Sequence, residues 1–429
     1  MKNLIIIFYL CLICSASFAQ KKYNHIALFG ATAHLGNGKV IENSVIAINN
    51  SKFEMVMSSK GFKLNPSSYD TVIYLEGKHI YPAIINVNNI LGLHDAEAVR
   101  ATKDFSEIGN LNPHIRALIA YNTDNQIVPT IKTNGVLYTQ CTPRGGLISG
   151  SSSIMALEGW NWEDAVFKAD DGIHINFPKM GERRFEGEGD LVLQANKRYS
   201  EELNTLSKFF IDAIAYSNSQ NNIEKNIRFE SMKPVLNGNA NLYMHCEKAK
   251  DILSAVNFCI KHNIKKPVIV GGKESYKVSA ELKKNNIPVM LTRVHDMPER
   301  ADENVDLIFT LPYLLQKDSV LFCLQLEGDM EAMHSRNLPF NAGTAAAYGL
   351  TKEQALASIT LNTAKILGID KNLGSIEDGK IASLIVSDGD VLDIKTNNIT
   401  HAWIAGKAVN LNNKQTELYQ KYKAKYNIK

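Results

Sequence analysis

The middle of the chain alternates short apolar runs with amphipathic helical segments. The apolar runs lie at residues 242–244, 267–270, 288–291, 307–309 and 320–324. After the first run, apolar side chains recur at a spacing that places them on one face of a helix: Ala249, Ile252, Leu253, Val256, Cys259 and Ile260. Buried strands that alternate with helices at this pace are typical of βα units and a parallel sheet. Because roughly 300 residues are available, the pattern predicts an α/β fold with a (β/α)8 TIM-like barrel over residues 81–375.

Both ends of the chain have a β pattern instead. Residues 25–29, 44–48 and 71–75 are short runs rich in β-branched side chains, separated by turn residues. Two similar runs follow the barrel segment, at residues 382–386 and 399–407. Since domain termini tend to lie close together, residues 20–80 and 380–412 are predicted to form one composite β-sandwich. The polar segment 413–429 is predicted to be a surface helix.

Charge and composition exclude several classes of protein. The chain of 429 residues has 47 basic and 44 acidic residues, and it contains no long run of like charges. A nucleic-acid partner is therefore not expected. With 45% hydrophobic residues, 27 glycines and 12 prolines, the composition is that of a globular protein.

The strongly apolar run at the N-terminus has the layout of a secretory signal. Lys2 precedes an apolar stretch at residues 4–14, and Ser17 and Ala19 form a small-x-small cleavage site. Residues 1–19 are therefore predicted to be a signal peptide, which makes the protein periplasmic or secreted, with no membrane span after cleavage. A retained anchor is the alternative, although the apolar stretch is short for a span.

Two further features leave alternatives open. The four cysteines outside the signal are far apart and include no CxxC pair, so buried free thiols are expected rather than disulfides or a zinc ribbon. Residues 179–200 are charged and contain glycine; they are either an insertion or lid between barrel units or a plain solvated helix and loop.

Four segments in a fixed order resemble the amidohydrolase superfamily, in particular its exported, imidazolonepropionase-like members. They are residues 77–86 (GKHIYPAIIN), 355–368 (ALASITLNTAKILG), 373–380 (LGSIEDGK) and 405–409 (AGKAV). The resemblance covers nearly the whole mature chain. It implies a metal-centred barrel with a composite β-sandwich, which agrees with the fold predicted from the residue patterns.

The resemblance also implies a divalent metal, zinc in the family, at the mouth of the barrel. Two histidines at positions i and i+2 of the first strand would share it, because such side chains point to the same side. In this chain Asn88 and Ile90 occupy those positions, and Gly271 and Gly272 stand where the sixth strand should supply a histidine. Isoleucine has no donor atom, and an amide oxygen is a poor zinc ligand. The metal motif is degenerate.

Some candidate residues remain at the predicted mouth. His245, beside Glu247, follows the fifth strand and is either a residual metal or substrate ligand or a histidine kept by packing. Glu327 and Asp329 follow the last strand, and either could be the catalytic acid that handles the proton of bound water. His94 lies just beyond the first strand and either faces the mouth or is solvated.

A Gly/Ser segment at residues 144–153 resembles a loop that would lie at the barrel mouth. It lacks the lysine of a phosphate-binding loop, so nucleotide binding is not supported. Trp160 and Trp162 follow closely and either form a wall of the substrate site or belong to the core or a subunit contact.

Two functions follow from the resemblance and from the lost ligands. The first is a metal-poor or inactive paralogue that binds a small-molecule ligand or pairs with an intact amidohydrolase, as a homo- or hetero-oligomer. The second is an active metal-dependent hydrolase of C–N bonds, such as cyclic amides, with a non-standard site. Ligand counting favours the first function, since catalytic zinc needs about three protein ligands.

Overall fold

The computed structural model of the protein describes residues 25–96, 99–186, 190–219, 224–298 and 302–428. The predicted signal peptide therefore lies outside the described residues. No helix in the described ranges is long and apolar enough to cross a membrane.

Twenty strands and twelve α-helices make up the described fold. The strands are β1 His25–Phe29, β2 Thr32–His34, β3 Val40–Ile41, β4 Ser44–Asn49, β5 Lys52–Ser58, β6 Thr71–Tyr74, β7 His79–Pro82, β8 Ile84–Asn89, β9 Val136–Cys141, β10 Ile148–Ala156, β11 Val166–Asn176, β12 Gly181–Glu186, β13 Asp190–Ala195, β14 Asn241–Cys246, β15 Pro267–Gly271, β16 Val289–Leu291, β17 Phe322–Leu324, β18 Leu384–Ser387, β19 Ile399–Ile404 and β20 Lys407–Ala408. The helices are α1 Val128–Lys132, α2 Trp162–Ala165, α3 Tyr199–Asn218, α4 Ile227–Leu236, α5 Ala249–Lys261, α6 Ser279–Lys284, α7 Leu307–Lys317, α8 Glu331–His334, α9 Leu338–Ala347, α10 Lys352–Ser358, α11 Leu361–Leu367 and α12 Lys414–Lys425.

Eight strands form the nearly closed barrel that the alternating pattern predicts. They follow the order β8-β9-β10-β11-β14-β15-β16-β17, and helices α5, α7, α9, α10 and α11 pack against the later strands. β14 to β17 are parallel and buried, except at His245 near the end of β14, as expected for strands covered on both faces. The predicted TIM-like barrel is confirmed.

One barrel strand runs the opposite way, which the sequence did not indicate. β10 is antiparallel to both of its neighbours, β9 and β11. The segment expected to be a Gly/Ser loop, residues 144–153, is therefore a loop only up to residue 147, and the rest belongs to this buried strand. Its small side chains allow a close approach: a Cβ at Gly150 would lie 2.6 Å from the carbonyl oxygen of Ile115.

A second difference concerns the apolar run at residues 307–309, which we expected to be a strand. It begins helix α7 instead, and buried Leu311 and Leu315 continue the same side of that helix. A short apolar run cannot by itself distinguish a buried strand from the first turn of a buried helix.

Both chain ends contribute to one β-domain next to the barrel. One sheet has the order β5-β4-β1-β6, and the other has the order β20-β19-β18-β7-β2-β3. The C-terminal strand β18 pairs directly with the N-terminal strand β7. Leu28, Ile46, Leu384 and Trp403 share one buried apolar cluster between the sheets. The composite domain follows from this shared core.

The remaining segments are peripheral to the barrel. β12 and β13 form a hairpin within residues 179–200, so this insertion is not a helix and loop. The predicted surface helix at the C-terminus is α12, which buries none of its residues. Cys141, Cys246, Cys259 and Cys323 are buried free thiols, as expected.

Candidate functional site at the barrel mouth

Asn88 is the central residue of the mouth, near the end of the first barrel strand β8. Its side chain is fully buried, and its φ of +50° lies in the left-handed region, which asparagine tolerates better than most residues. A register shift in the pairing of β8 with β9 accompanies this turn of the backbone. As a result Asn88 points its amide into the barrel mouth.

The Asn88 side chain is bonded through both of its polar atoms. Its Nδ2 donates to Oε2 of Glu327 over 2.7 Å, and its Oδ1 accepts from Nη1 of Arg144 over 2.9 Å. Arg144 also donates from Nη2 to the Asn88 carbonyl oxygen at 2.9 Å and to Glu331 at 3.0 Å. A guanidinium group is thus held against the strand position where the resemblance implies a metal ligand.

His245 stands across the mouth at the end of β14. Its Nδ1 lies 3.5 Å from Oε2 of Glu327, the oxygen that also accepts from Asn88. Its Nε2 lies 2.9 Å from Nδ1 of His174 on β11. Because a hydrogen bond between two imidazole nitrogens needs one donor and one acceptor, each ring commits one nitrogen to the other.

A buried chain of hydrogen bonds continues inward from His174. The His174 Nε2 lies 2.9 Å from the Ser152 hydroxyl, which donates to Oδ1 of Asp171 over 2.7 Å. Tyr243 donates its hydroxyl to the other oxygen of Asp171, and its ring stacks on His174 with centroids 4.4 Å apart. All of these side chains except His245 are fully or nearly fully buried.

Gln140 closes this chain into a ring. Its Nε2 donates to Asp171 over 2.9 Å, and its Oε1 accepts from the backbone N–H of Asn88 over 3.0 Å. The polar groups of five barrel strands are therefore connected across the barrel interior. Such a network is stable only when each member has its partners, which fixes the side chains in one arrangement.

The electrostatics of the ring follow from burial and from its charges. Burial alone raises the pKa of Glu327, but His245, Arg144 and the Asn88 amide together lower it well below its usual range. Burial raises the pKa of Asp171, although the groups that donate hydrogen bonds to it oppose the rise. Burial also raises the pKa of Glu331, and Arg144 opposes that rise. Burial, reinforced by His245, lowers the pKa of His174 well below its usual value, so His174 is held neutral.

The structure separates the predicted site residues into two groups. His245 and Glu327 meet at the mouth, whereas Asp329 is exposed outside it. His94 is buried beneath the loop after β8, with its ring edge-to-face against Phe105. Trp160 is 88% exposed and lines a pocket with Tyr138, Phe167 and Lys407, close to the β-domain. Trp162 is partly buried and packs against a separate apolar cluster that includes Ala165. Neither tryptophan forms a wall of the pocket at His245.

The donor set does not fit the zinc that the resemblance implies. Ile90 offers no donor, Asn88 is bonded to Arg144 and Glu327, and His245 shares its Nε2 with His174. A side chain at Gly271 would collide with Glu247, because a Cβ there lies 2.3 Å from Oε1 of that residue. Within the described ranges, no group of three or more His, Cys, Asp or Glu side chains is arranged to hold a metal.

A pocket of about 400 Å³ opens next to this ring. His245 and Glu327 line it, together with charged residues of both signs and uncharged polar residues such as Asn176, Thr292 and Gln325. Lys273 donates to Asp296 over 2.6 Å across the opening. A volume and polarity of this kind suit a small polar molecule.

Sequence reasoning missed most members of the ring. Arg144 was noticed only as the start of a loop, and Asp171, His174, Gln140 and Glu331 were not singled out. One signal was available: Tyr243 and His245 stand at i and i+2 in an otherwise apolar strand, so both face the barrel interior.

Comparison with known proteins gives similarities both in sequence and in fold. Residues 238–409 match the model of the amidohydrolase family. The fold is similar to that of an amidohydrolase from Thermotoga maritima MSB8, with a TM-score of 0.77, 23% identity, and coverage of 90% of this chain and 99% of that one. The chain therefore resembles the amidohydrolase family in sequence over residues 238–409, and it shares the fold of the Thermotoga maritima protein.

Two other known proteins are also similar to parts of this chain or to its fold. A Xaa-Pro dipeptidase with bound methionine in its active site has a TM-score of 0.56 and 14% identity, with coverage of 90% of this chain and 100% of that one. An adenine deaminase from Desulforamulus reducens is 31% identical over 81 residues, which are 19% of this chain. The match spans only 14% of the length of that curated relative. The structural likenesses show the fold.

Proposed function

We propose that this protein is an exported member of the amidohydrolase superfamily that has lost metal-dependent hydrolysis and uses the barrel mouth to bind a small polar molecule. The observation that carries the proposal is the bonding of Asn88 between Arg144 and Glu327. This arrangement engages the Asn88 amide with a guanidinium group and a carboxylate, so the amide oxygen is not available to a divalent cation.

The remaining groups support binding rather than turnover. His245 and Glu327 face the pocket, while their other polar contacts lock them into the ring. A rigid set of donors and acceptors beside a pocket provides orientation for a ligand at low entropic cost. The named relatives suggest C–N-containing ligands such as dipeptides or nucleobases, which are therefore the first molecules to test.

Metal analysis combined with an activity screen tests the proposal. After dialysis against a mild chelator, we expect zinc at well below about one equivalent, because at most two good ligands remain. Xaa-Pro dipeptides and adenine should not be turned over, and direct calorimetry would report which of them binds. A retained equivalent of metal with chelator-sensitive hydrolysis would restore the alternative of an active hydrolase.

Export is a separate part of the proposal and has its own test. It rests on the signal-like pattern of residues 1–19. Cell fractionation with N-terminal sequencing should give a mature protein that begins at Gln20. A start at Met1 in the cytoplasmic fraction would contradict it.

A further inference from the structure

A second pocket lies at the opposite end of the barrel from the mouth. It has a volume of about 520 Å³ and is lined by Asn241 and Pro267, the first residues of β14 and β15. The segments before β16 and β17 and the end of helix α11 complete it. The strands end at the mouth, so this pocket and the mouth are separated by the length of the barrel.

Five lysines line this pocket: Lys168, Lys265, Lys266, Lys283 and Lys365. None of its described lining residues is acidic. Lys168 donates to the carbonyl oxygen of Leu367 over 2.7 Å, and Lys265 donates to the side chain of Asn263. In the part of the chain that the structure describes, no ion pair links these five lysines to a carboxylate. The local excess of positive charge is therefore uncompensated by the fold.

The position of Lys168 shows that the charge extends into the pocket. Four of the lysines are exposed around the rim, whereas Lys168 is half-buried behind Gly368. Burial lowers the pKa of Lys168, Asp171 opposes this, and Lys266 lowers the pKa further. An anion bound in the pocket would offset both the burial and the repulsion between the two lysines.

The floor of the pocket is apolar, which narrows the class of ligand. Val268, Leu282, Ile287, Val320 and Ile366 line it between the lysines. Lysine is a compact point charge that commonly binds phosphate. A pocket of this volume is in the range that encloses a small organic molecule and is too confined for a duplex or a folded protein.

We propose that this pocket is a second binding site, for a small organic phosphate that has an apolar ring or chain. The phosphate lies among Lys168, Lys266 and Lys365, and the apolar part rests on the floor between β15 and helix α6. The assignment is independent of what the mouth binds, because the two pockets share no lining residue.

Titration calorimetry with 1-naphthyl phosphate tests the site, with 2-naphthol and inorganic pyrophosphate as partial probes. We expect one molecule of 1-naphthyl phosphate per chain and weaker binding of either partial probe. Replacing two rim lysines, K266Q/K365Q, should weaken the affinity about thirtyfold, which corresponds to about 1 kcal/mol for each of the two lost contacts at about 1.4 kcal/mol per tenfold. Binding should also weaken at higher salt.

Matched variants keep the test falsifiable. K421Q/K423Q removes the same charge from helix α12, far along the chain, and should leave the affinity unchanged. K266R/K365R keeps the charge and should retain most of the affinity. Thermal unfolding of each variant identifies any loss of folding. The proposal is overturned if 1-naphthyl phosphate does not bind, or if K266Q/K365Q and K421Q/K423Q weaken its binding equally.

Discussion

The Asn88 amide donates to Glu327 over 2.7 Å, although the two residues are 239 positions apart in the chain. This hydrogen bond connects the end of the first barrel strand with the segment after the last one, so it spans the closure of the barrel. Arg144 binds the same amide from the other side. The mouth is thus held together by an amide and a guanidinium group at the place where the resemblance implies a metal.

Removing the Asn88 amide should destabilise the fold. N88A leaves Arg144 and Glu327 without one partner each, and buried groups left unsatisfied cost about 1–3 kcal/mol. Asn50 also has a left-handed backbone, with φ of +55°, but it is exposed. The control N50A therefore also places an alanine at a left-handed backbone position, but it removes no buried hydrogen bonds. Urea unfolding should show a loss about 2 kcal/mol larger for N88A than for N50A; equal losses would contradict the role of the amide.

Arg144 should be required for the stability of the fold, mainly because it pairs with the buried carboxylate of Glu331. R144M leaves the buried Glu331 carboxylate unpaired, which we expect to cost about 3 kcal/mol at neutral pH. R144M/E331M removes both charges and should recover a large part of that loss. Urea unfolding of the two variants measures the difference. If the double variant is as unstable as the single one, the ion pair is not the cause.

Glu327 should make the free energy of unfolding depend on pH in the acidic range. The pKa of Glu327 is lower in the folded protein than in the unfolded chain. The ionised carboxylate therefore stabilises the fold fully above the unfolded pKa, and this stabilisation is lost as the pH falls through the folded pKa. E327Q cannot ionise and lacks this dependence. The difference in unfolding free energy between the wild type and E327Q should be largest near pH 7 and should shrink from about pH 4 downward. A difference that is constant with pH would show that Glu327 acts only by packing.

Restoring histidines on the first strand should not restore zinc by itself. N88H/I90H supplies two imidazoles but leaves the guanidinium of Arg144 beside them, so we expect little added zinc. N88H/I90H/R144M removes that charge and should retain more zinc after dialysis against a mild chelator. Elemental analysis compares the two variants, with circular dichroism to confirm folding. Equal zinc content would show that Arg144 does not oppose the metal.

Local patterns were sufficient for much of the architecture. The apolar runs at residues 242–244 and 267–270 became β14 and β15, because a fully buried parallel strand needs little beyond a short apolar segment. The run at residues 307–309 became a helix, since its neighbours supplied a helical stripe that a three-residue window does not show. The reversed direction of β10 had no local signal, because strand direction depends on which strands it joins.

The candidate site was only partly predictable from the sequence, because it also depends on contacts between segments that are far apart in the chain. His245 and Glu327 were found because residues after barrel strands tend to gather at the mouth. Their connection through Asn88, His174 and Ser152 depends on five strands curling until distant polar atoms come within bonding distance. Arg144 enters the site because it lies in the short loop after β9, whose carboxyl end is at the mouth.

The sequence by itself determined the barrel and the composite β-domain, because periodicity and side-chain chemistry are local properties, and its resemblance to a known family marked Asn88 and Ile90 as positions where metal-binding histidines would be expected. Only the tertiary structure decided that an arginine stands beside the lost metal position and that Glu327, rather than Asp329, faces His245. It also decided that five lysines from separate segments line one pocket. These are relationships between residues far apart in the chain, and they arise from closing the barrel.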